Sequence, residues 1–219
     1  HYYLDELQAQ SAWHIAVLNP GYRGYEDGVF GDFVQIRGLA WALRDISNAA
    51  YISPDNDAMK GYFQGVLENN LVRILDEYVN GPKGDAQGQL EGWLKGDTGS
   101  GDDVAPWQLD YLVSVLGVMS ERGNAKADTI LNWMDNFISG RFLNEANGYD
   151  PLYGPAYYLK VLNPATGQPY TTWEDVYTAT YGNLPPPTTL DGYPDWASGY
   201  AARAKASLAS IITATGSPD

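Results

Sequence analysis

The chain has 219 residues, enough for one well-buried domain, and no low-complexity run divides it into two. Thirteen Lys plus Arg against 27 Asp plus Glu give a formal charge of -14, which repels phosphate backbones and argues against nucleic acid as a partner. The absence of cysteine removes a disulfide framework, a thiolate metal site and a cysteine nucleophile. No apolar run approaches the roughly 20 residues of a membrane span, so no membrane insertion is expected.

Seventeen Tyr and seven Trp against five Phe favour rings that keep one polar end at water. Such rings suit sugar-binding grooves and, equally, protein interfaces. The start, HYYLDELQAQ, has neither an initiator Met nor signal-peptide character, and a helical pattern runs by Leu4. It reads as a piece of a longer polypeptide.

Leu4, Leu7, Ser11, Ile15 and Leu18 predict a first helix, which also bears Trp13 and His14 and stops at Asn19-Pro20-Gly21. A loop, YRGYEDG, then gathers two Tyr, one Arg and two carboxylates. The stretch from Phe30 to Tyr51 is the centre of the chain. Ile36, Leu39, Leu43, Ile46 and Ala50 form one core stripe at spacings of 3, 4, 3 and 4. Arg37, Trp41, Arg44 and Asn48 form a second at 4, 3 and 4, and Gly38, Ala42, Asp45 and Ala49 a mostly small third face. This predicts a helix buried on most sides, its Arg/Trp stripe lining a cleft.

Ser53 as N-cap and Pro54 predict the start of a long third helix that closes at Asn80-Gly81-Pro82. Residues 81–103, rich in Gly, read as a long surface loop. Pro106 opens a fourth helix that ends at Gly123, and Ile130, Leu131, Met134, Phe137 and Ile138 a fifth, forming an antiparallel hairpin around Arg122 to Ala125. Residues 144–192 read as an irregular Tyr/Pro/Gly-rich insertion. Within it Thr171 and Glu174 suggest a capping box, and AYYLKVL and QPY short strands around a turn at Asn163 to Gly167. A last helix runs from near Pro194 through Trp196, Tyr200, Ala204, Leu208 and Ile211.

The expected fold class is therefore all-α, a single domain over 1–219 built from antiparallel helical hairpins. The segment QIRGLAWALRDISNAAYISPDNDAMKGYF, followed by the WQLDYLVSVLG helix, resembles the α/α toroid architecture of many six-hairpin glycosidases and polysaccharide lyases. A closed toroid of that kind needs about twelve helices of ten to fifteen residues. The resemblance therefore implies a partial, toroid-like array.

Glu26, Asp27 and Asp32 before the central helix, with Asp110 behind Trp107, are candidates for the paired carboxylates of glycoside hydrolysis. The competing reading is solvated surface. His14 with Tyr22, Tyr25 and Arg37 has the residue types for eliminative cleavage of a uronate polysaccharide, where Arg neutralises the carboxylate and His or Tyr moves the proton. His14 beside Trp13 also reads as a packed polar residue. Arg37 and Arg44 pair, in the simpler reading, with Asp32, Asp45 or Asp110 and stack on Trp41. GDTGSGDD fails as an EF-hand, because Gly99 and Gly101 fall where oxygen ligands belong. A looser calcium site through Asp97, Asp102 and Asp103 stays open, and no other metal or cofactor is expected.

These features point to a carbohydrate-engaging helical domain of a larger extracellular or particle-associated protein. Trp41 and Trp107 would be sugar platforms, Tyr22 and Arg44 ligand contacts, and His14, Tyr25, Glu26, Arg37 and Asp110 the groups for any hydrolase or lyase chemistry. The alternative is a non-catalytic assembly module of a filament or virion, contacting neighbouring subunits or the rest of the parent chain through aromatic surfaces.

Overall fold

A computed structural model describes residues 2–23, 28–31, 34–96, 98, 101–182 and 199–216. Among these the class is all-α, with one two-stranded sheet. The helices are α1 (Tyr2–Ala16), α2 (Ile36–Ile52), α3 (Ala58–Ile74), α4 (Pro82–Asp85), α5 (Pro106–Glu121), α6 (Ala125–Leu143), α7 (Trp173–Tyr181) and α8 (Tyr200–Thr215).

Named contacts fix how the helices run. Gln8 donates to Ser53 Oγ and Asp57 Oδ2, both at 2.9 Å, while His14 meets Asp45, so α1 and α2 are antiparallel. Gln108 accepts the Arg37 backbone N–H at the start of both helices, and Arg122 reaches Asn48 near their ends, so α2 and α5 are parallel. Tyr200 against Trp107 and Ser207 against Asp110 make α8 parallel to α5. Thus α2, α5 and α8 lie side by side in one direction, and their neighbours α1, α3 and α6 run the other way. Gly117 permits the close α5 to α8 approach, since a Cβ there would sit 2.7 Å from Ser210 Oγ.

The core is apolar along the stripe the spacing predicts: Ile36, Leu39, Leu43, Ile46 and Ala50 of α2 are all buried. At its N-terminus α2 has no capping side chain of its own, because Gln35 makes no such bond. Gln108 of α5 satisfies that orphan N–H at 3.0 Å. Asp57, and not Ser53, caps α3 by accepting from Met59 N at 2.8 Å. Ser53 is instead buried as the acceptor of Gln8. After α3 comes a π-helical turn (Leu75–Val79) that buries Tyr78. Burial would raise the Glu77 carboxyl, but hydrogen bonds from Lys83 and Arg73, each 2.6 Å, outweigh it and hold Glu77 below its ordinary range.

Residues 81–103 are not a surface loop throughout. They contain α4 and a 3₁₀ turn (Gly88–Leu90), and Leu90, Trp93 and Leu94 enter the core. Gln87 makes this tolerable by accepting from Gly92 N and Trp93 N and donating to Trp93 O, which satisfies buried backbone that no helix serves. The sheet joins β1 (Asp103–Val104) to β2 (Leu159–Lys160), antiparallel, with Asp103 opposite Lys160. AYYLKVL therefore pairs with the end of the Gly-rich stretch, and meets QPY only through the Leu162 to Pro169 bridge. The capping residue of α7 is Thr172, one later than the spacing suggests, bonded to Asp175 N at 3.1 Å. Several tyrosines of the insertion are structural: Tyr149, Tyr153, Tyr177 and Tyr181 pack with Trp173 in one aromatic cluster. Pro194 and Trp196, at the expected start of the last helix, lie outside the described residues.

The largest fully buried side chain among the described residues is that of Arg141, 0 % exposed and paired with Asp110 at 1 %. Ser207 Oγ donates to the same carboxylate at 2.9 Å, and Arg141 also donates to the Gly154 carbonyl at 3.1 Å. Removing one partner from such a pair costs about 3–5 kcal/mol, because the other is left buried and uncompensated. Urea denaturation of Arg141→Met is expected to show a loss of that order. A loss below about 1 kcal/mol would mean that the pair does not hold α5, α6 and α8 together.

Candidate functional site

The Arg/Trp stripe of α2 faces a second stripe on α5, formed by Trp107, Tyr111, Ser114, Val118 and Arg122 at spacings of 4, 3, 4 and 4. Because the helices are parallel, the stripes meet in register. The Arg37 guanidinium lies over Trp107 at 5.6 Å. Trp41 meets Tyr111 edge-on at 6.2 Å, and Arg44 Nη1 donates to Tyr111 Oη at 2.9 Å. Arg122 Nη2 donates to Asn48 Oδ1 at 2.8 Å and its guanidinium stacks over Tyr51 at 4.4 Å. From α8, Arg203 lies over Tyr111 at 5.6 Å and Tyr200 packs on Trp107. Tyr157 stacks on the Trp107 ring at 6.1 Å and meets Tyr158 at 4.4 Å.

The charge on this face is only partly compensated. Arg44 Nε pairs with Asp45 Oδ1 at 2.9 Å, and that hydrogen bond is the largest cause of its raised pKa. Asp45 also takes His14 Nε2 at 3.1 Å from the opposite side. Arg37 instead bonds the neutral Gln35 side chain, Arg122 bonds Ser47 and Asn48, and Arg203 rests on a ring. None of these three arginines, of the chain's seven, has a carboxylate partner among the described residues.

A hollow of about 300 Å³ lies along the stripes, lined by Arg44, Asn48, Tyr111, Ser114 and Val118. Ser47 and Arg122 form the wall it shares with a second hollow of about 320 Å³, which continues past Tyr51 to Gln64 and Glu68. Trp41 stands 47 % exposed beside this groove. Trp107 does not: its Nε1–H is buried and unpartnered among the described residues, and Tyr157, Tyr200 and Arg37 occupy its surroundings. The Tyr158 hydroxyl is raised above its usual range by its hydrogen bond with Tyr157 and by burial, with Arg37 pulling the other way. A phenol held protonated is a poor proton acceptor at neutral pH.

The structure therefore brings Arg37, Trp41, Arg44 and Trp107 together. It places His14 between α1 and α2, connected to the face only through Asp45 and Arg44. Asp110 faces the interior and is engaged by Arg141 and Ser207. Tyr25, Glu26, Asp27 and Asp32 lie outside the described residues, as does the side chain of Tyr22, whose backbone belongs to a 3₁₀ turn (Pro20–Arg23). Of the suggested calcium ligands, Asp97 is also outside, and Asp103 accepts from Thr98. No group of three or more His, Asp or Glu able to hold a metal occurs among the described residues.

Sequence reasoning missed Tyr111, Arg122, Arg203, Tyr157 and Tyr158. The α5 stripe was visible in its spacing, whereas nothing local marks Tyr157 as a neighbour of Trp107. Comparison with protein-family models, with curated proteins and with solved structures yields no match.

The two tryptophans should separate on mutation. Trp41→Ala is expected to stay within about 0.5 kcal/mol of the parent in urea denaturation, and Trp107→Ala to lose about 3 kcal/mol. Equal losses would show that Trp41 is a packing residue and not available to a ligand.

Proposed function

We propose that this chain is a carbohydrate-engaging α/α-hairpin domain that binds an acidic saccharide across the α2/α5/α8 face. The observation that carries the reading is the set of three arginines without carboxylate partners among the described residues, beside the exposed Trp41, in a chain of net charge -14. An indole face packs on the C–H face of a pyranose, and guanidinium groups suit carboxylate or sulfate substituents by paired hydrogen bonds. In this reading the three parallel helices with antiparallel partners behind them are part of a toroid-like hairpin array in a larger extracellular or particle-associated protein.

Binding is better supported than cleavage. Hydrolysis asks for two carboxyl groups flanking the bond, whereas Asp45 and Asp110 are both buried in ion pairs and Glu68, in the adjoining hollow, is paired with Lys126. Elimination asks for a base near Arg37, and the nearby Tyr158 is shifted away from that role. One observation favours the assembly reading instead: Tyr2, Tyr3 and Trp13 of α1, and Val17 just after it, are all exposed.

Calorimetric titration with oligogalacturonate at low salt tests the proposal. Binding is expected, weakening as salt rises, and falling about tenfold or more in Trp41→Ala and in Arg203→Ala. Parallel assays of reducing ends and of ultraviolet absorbance from unsaturated products distinguish hydrolysis and elimination from binding alone. A folded protein that binds no acidic oligosaccharide but self-associates through α1 would overturn the reading in favour of assembly.

A further inference from the structure

A larger hollow, about 690 Å³, lies away from the arginine face and shares no residue with it. It sits between the C-terminal half of α6, the 3₁₀ turn at Gly88–Leu90 and the start of α7. Its floor is apolar: Leu90 and Trp173 are buried there, and Trp173 packs so closely on α6 that a Cβ at Gly140 would lie 2.5 Å from its ring. Its walls are neutral and polar, with Gln89, Asn136, Asn144, Asn147, Thr171 and Thr172 among them. Glu174 is the one charged residue of the lining.

Hydrogen-bond accounting shows which groups are already committed. The Asn136 amide donates to the carbonyls of Gln89 at 3.0 Å and Glu91 at 2.9 Å, which fixes the orientation of the amide. Asn144 donates to Gly140 O at 2.8 Å, so its Oδ1 faces the other way and accepts from Asn147 Nδ2 at 2.7 Å. Thr172 is engaged by Asp175 as the α7 cap. Both N–H groups of Asn136 are thus used inside the protein, while Asn144 and Asn147 each commit one of their two. Left over are the acceptors Asn136 Oδ1, Asn147 Oδ1 and the Glu174 carboxylate, with the Thr171 hydroxyl, the Gln89 amide and the second N–H of Asn147 beside them. Gly148, at a φ of +82° that favours glycine, lets the Glu174 stem lie against it.

We infer that this hollow is a second binding site, for a neutral saccharide of about disaccharide size. Its several separated acceptors above an apolar aromatic floor match a ring that presents many O–H donors and one C–H face. The lining has no Lys or Arg, and Glu174 repels anions, so the acidic ligand proposed for the arginine face is excluded here. The two sites are therefore chemically opposite, and one can fail without the other.

The test uses cellobiose, maltose and diacetylchitobiose as probes in saturation-transfer NMR, with the side-chain amide signals of Asn136 and Asn147 and the Trp173 indole N–H followed in parallel. At least one disaccharide is expected to bind and to shift those three signals. Thr171→Trp fills the hollow and Asn147→Leu removes an acceptor. Both positions are exposed, so both variants are expected to fold, and each should weaken binding about tenfold or more. Trp41→Ala and Arg203→Ala should leave it unchanged. Absence of binding by all three disaccharides, binding that persists in both hollow variants, or butylammonium displacing the sugar would each overturn the inference.

Discussion

The arrangement depends on the rotation of α5 about its own axis, and Asp110 fixes that rotation. Its carboxylate is held by Arg141 from α6 and Ser207 from α8, all three groups out of contact with water. A buried carboxylate that turned away from its guanidinium would remain uncompensated, so the helix has one stable orientation. The next residue, Tyr111, is thereby turned toward α2, where it meets Trp41 and Arg44, with Arg203 of α8 over its ring. At the start of the helix, Gln108 caps α2 and sets the axial register. One buried pair and one borrowed cap thus place two stripes of side chains opposite each other.

What results is a local inversion of charge. The chain is strongly acidic, yet within a Debye length of roughly 10 Å the face is governed by its own guanidinium groups. Three of them rest on rings or neutral amides, which hold their orientation without neutralising their charge. Arg44 differs, because Asp45 compensates it from behind while His14 shares the same carboxylate. The side chains are therefore oriented before any ligand arrives, which lowers the entropic cost of binding. The hollow beside α7 reaches the opposite polarity with neutral amides and one carboxylate, which internal bonds of Asn136, Asn144 and Asn147 hold in place.

Much of this was legible from residue spacing. Period alone gave the core face of α2, the α5 to α6 hairpin and the grouping of Arg37, Trp41 and Arg44, because helical geometry makes neighbours of residues three or four apart. The caps of α3 and α7 were placed wrongly, since several Ser, Thr and Asp compete at each start and tertiary contacts decide among them. Residues 81–103 read as surface because glycine content hides a buried Leu90, Trp93 and Leu94 whose backbone is satisfied by Gln87. Asp110 looked like a cleft acid because nothing local reveals its partner Arg141, 31 positions away. Tyr157 and Arg203 reach the face by long-range packing that no window of sequence contains.

The most direct measurement is a crystal structure of the chain with an oligogalacturonate bound. The account expects a sugar ring over Trp41 and carboxylates in contact with Arg203 or Arg122, with the helices α2, α5 and α8 unmoved. An oligosaccharide bound elsewhere, with the arginine face closed against a neighbouring copy of the chain, would contradict it.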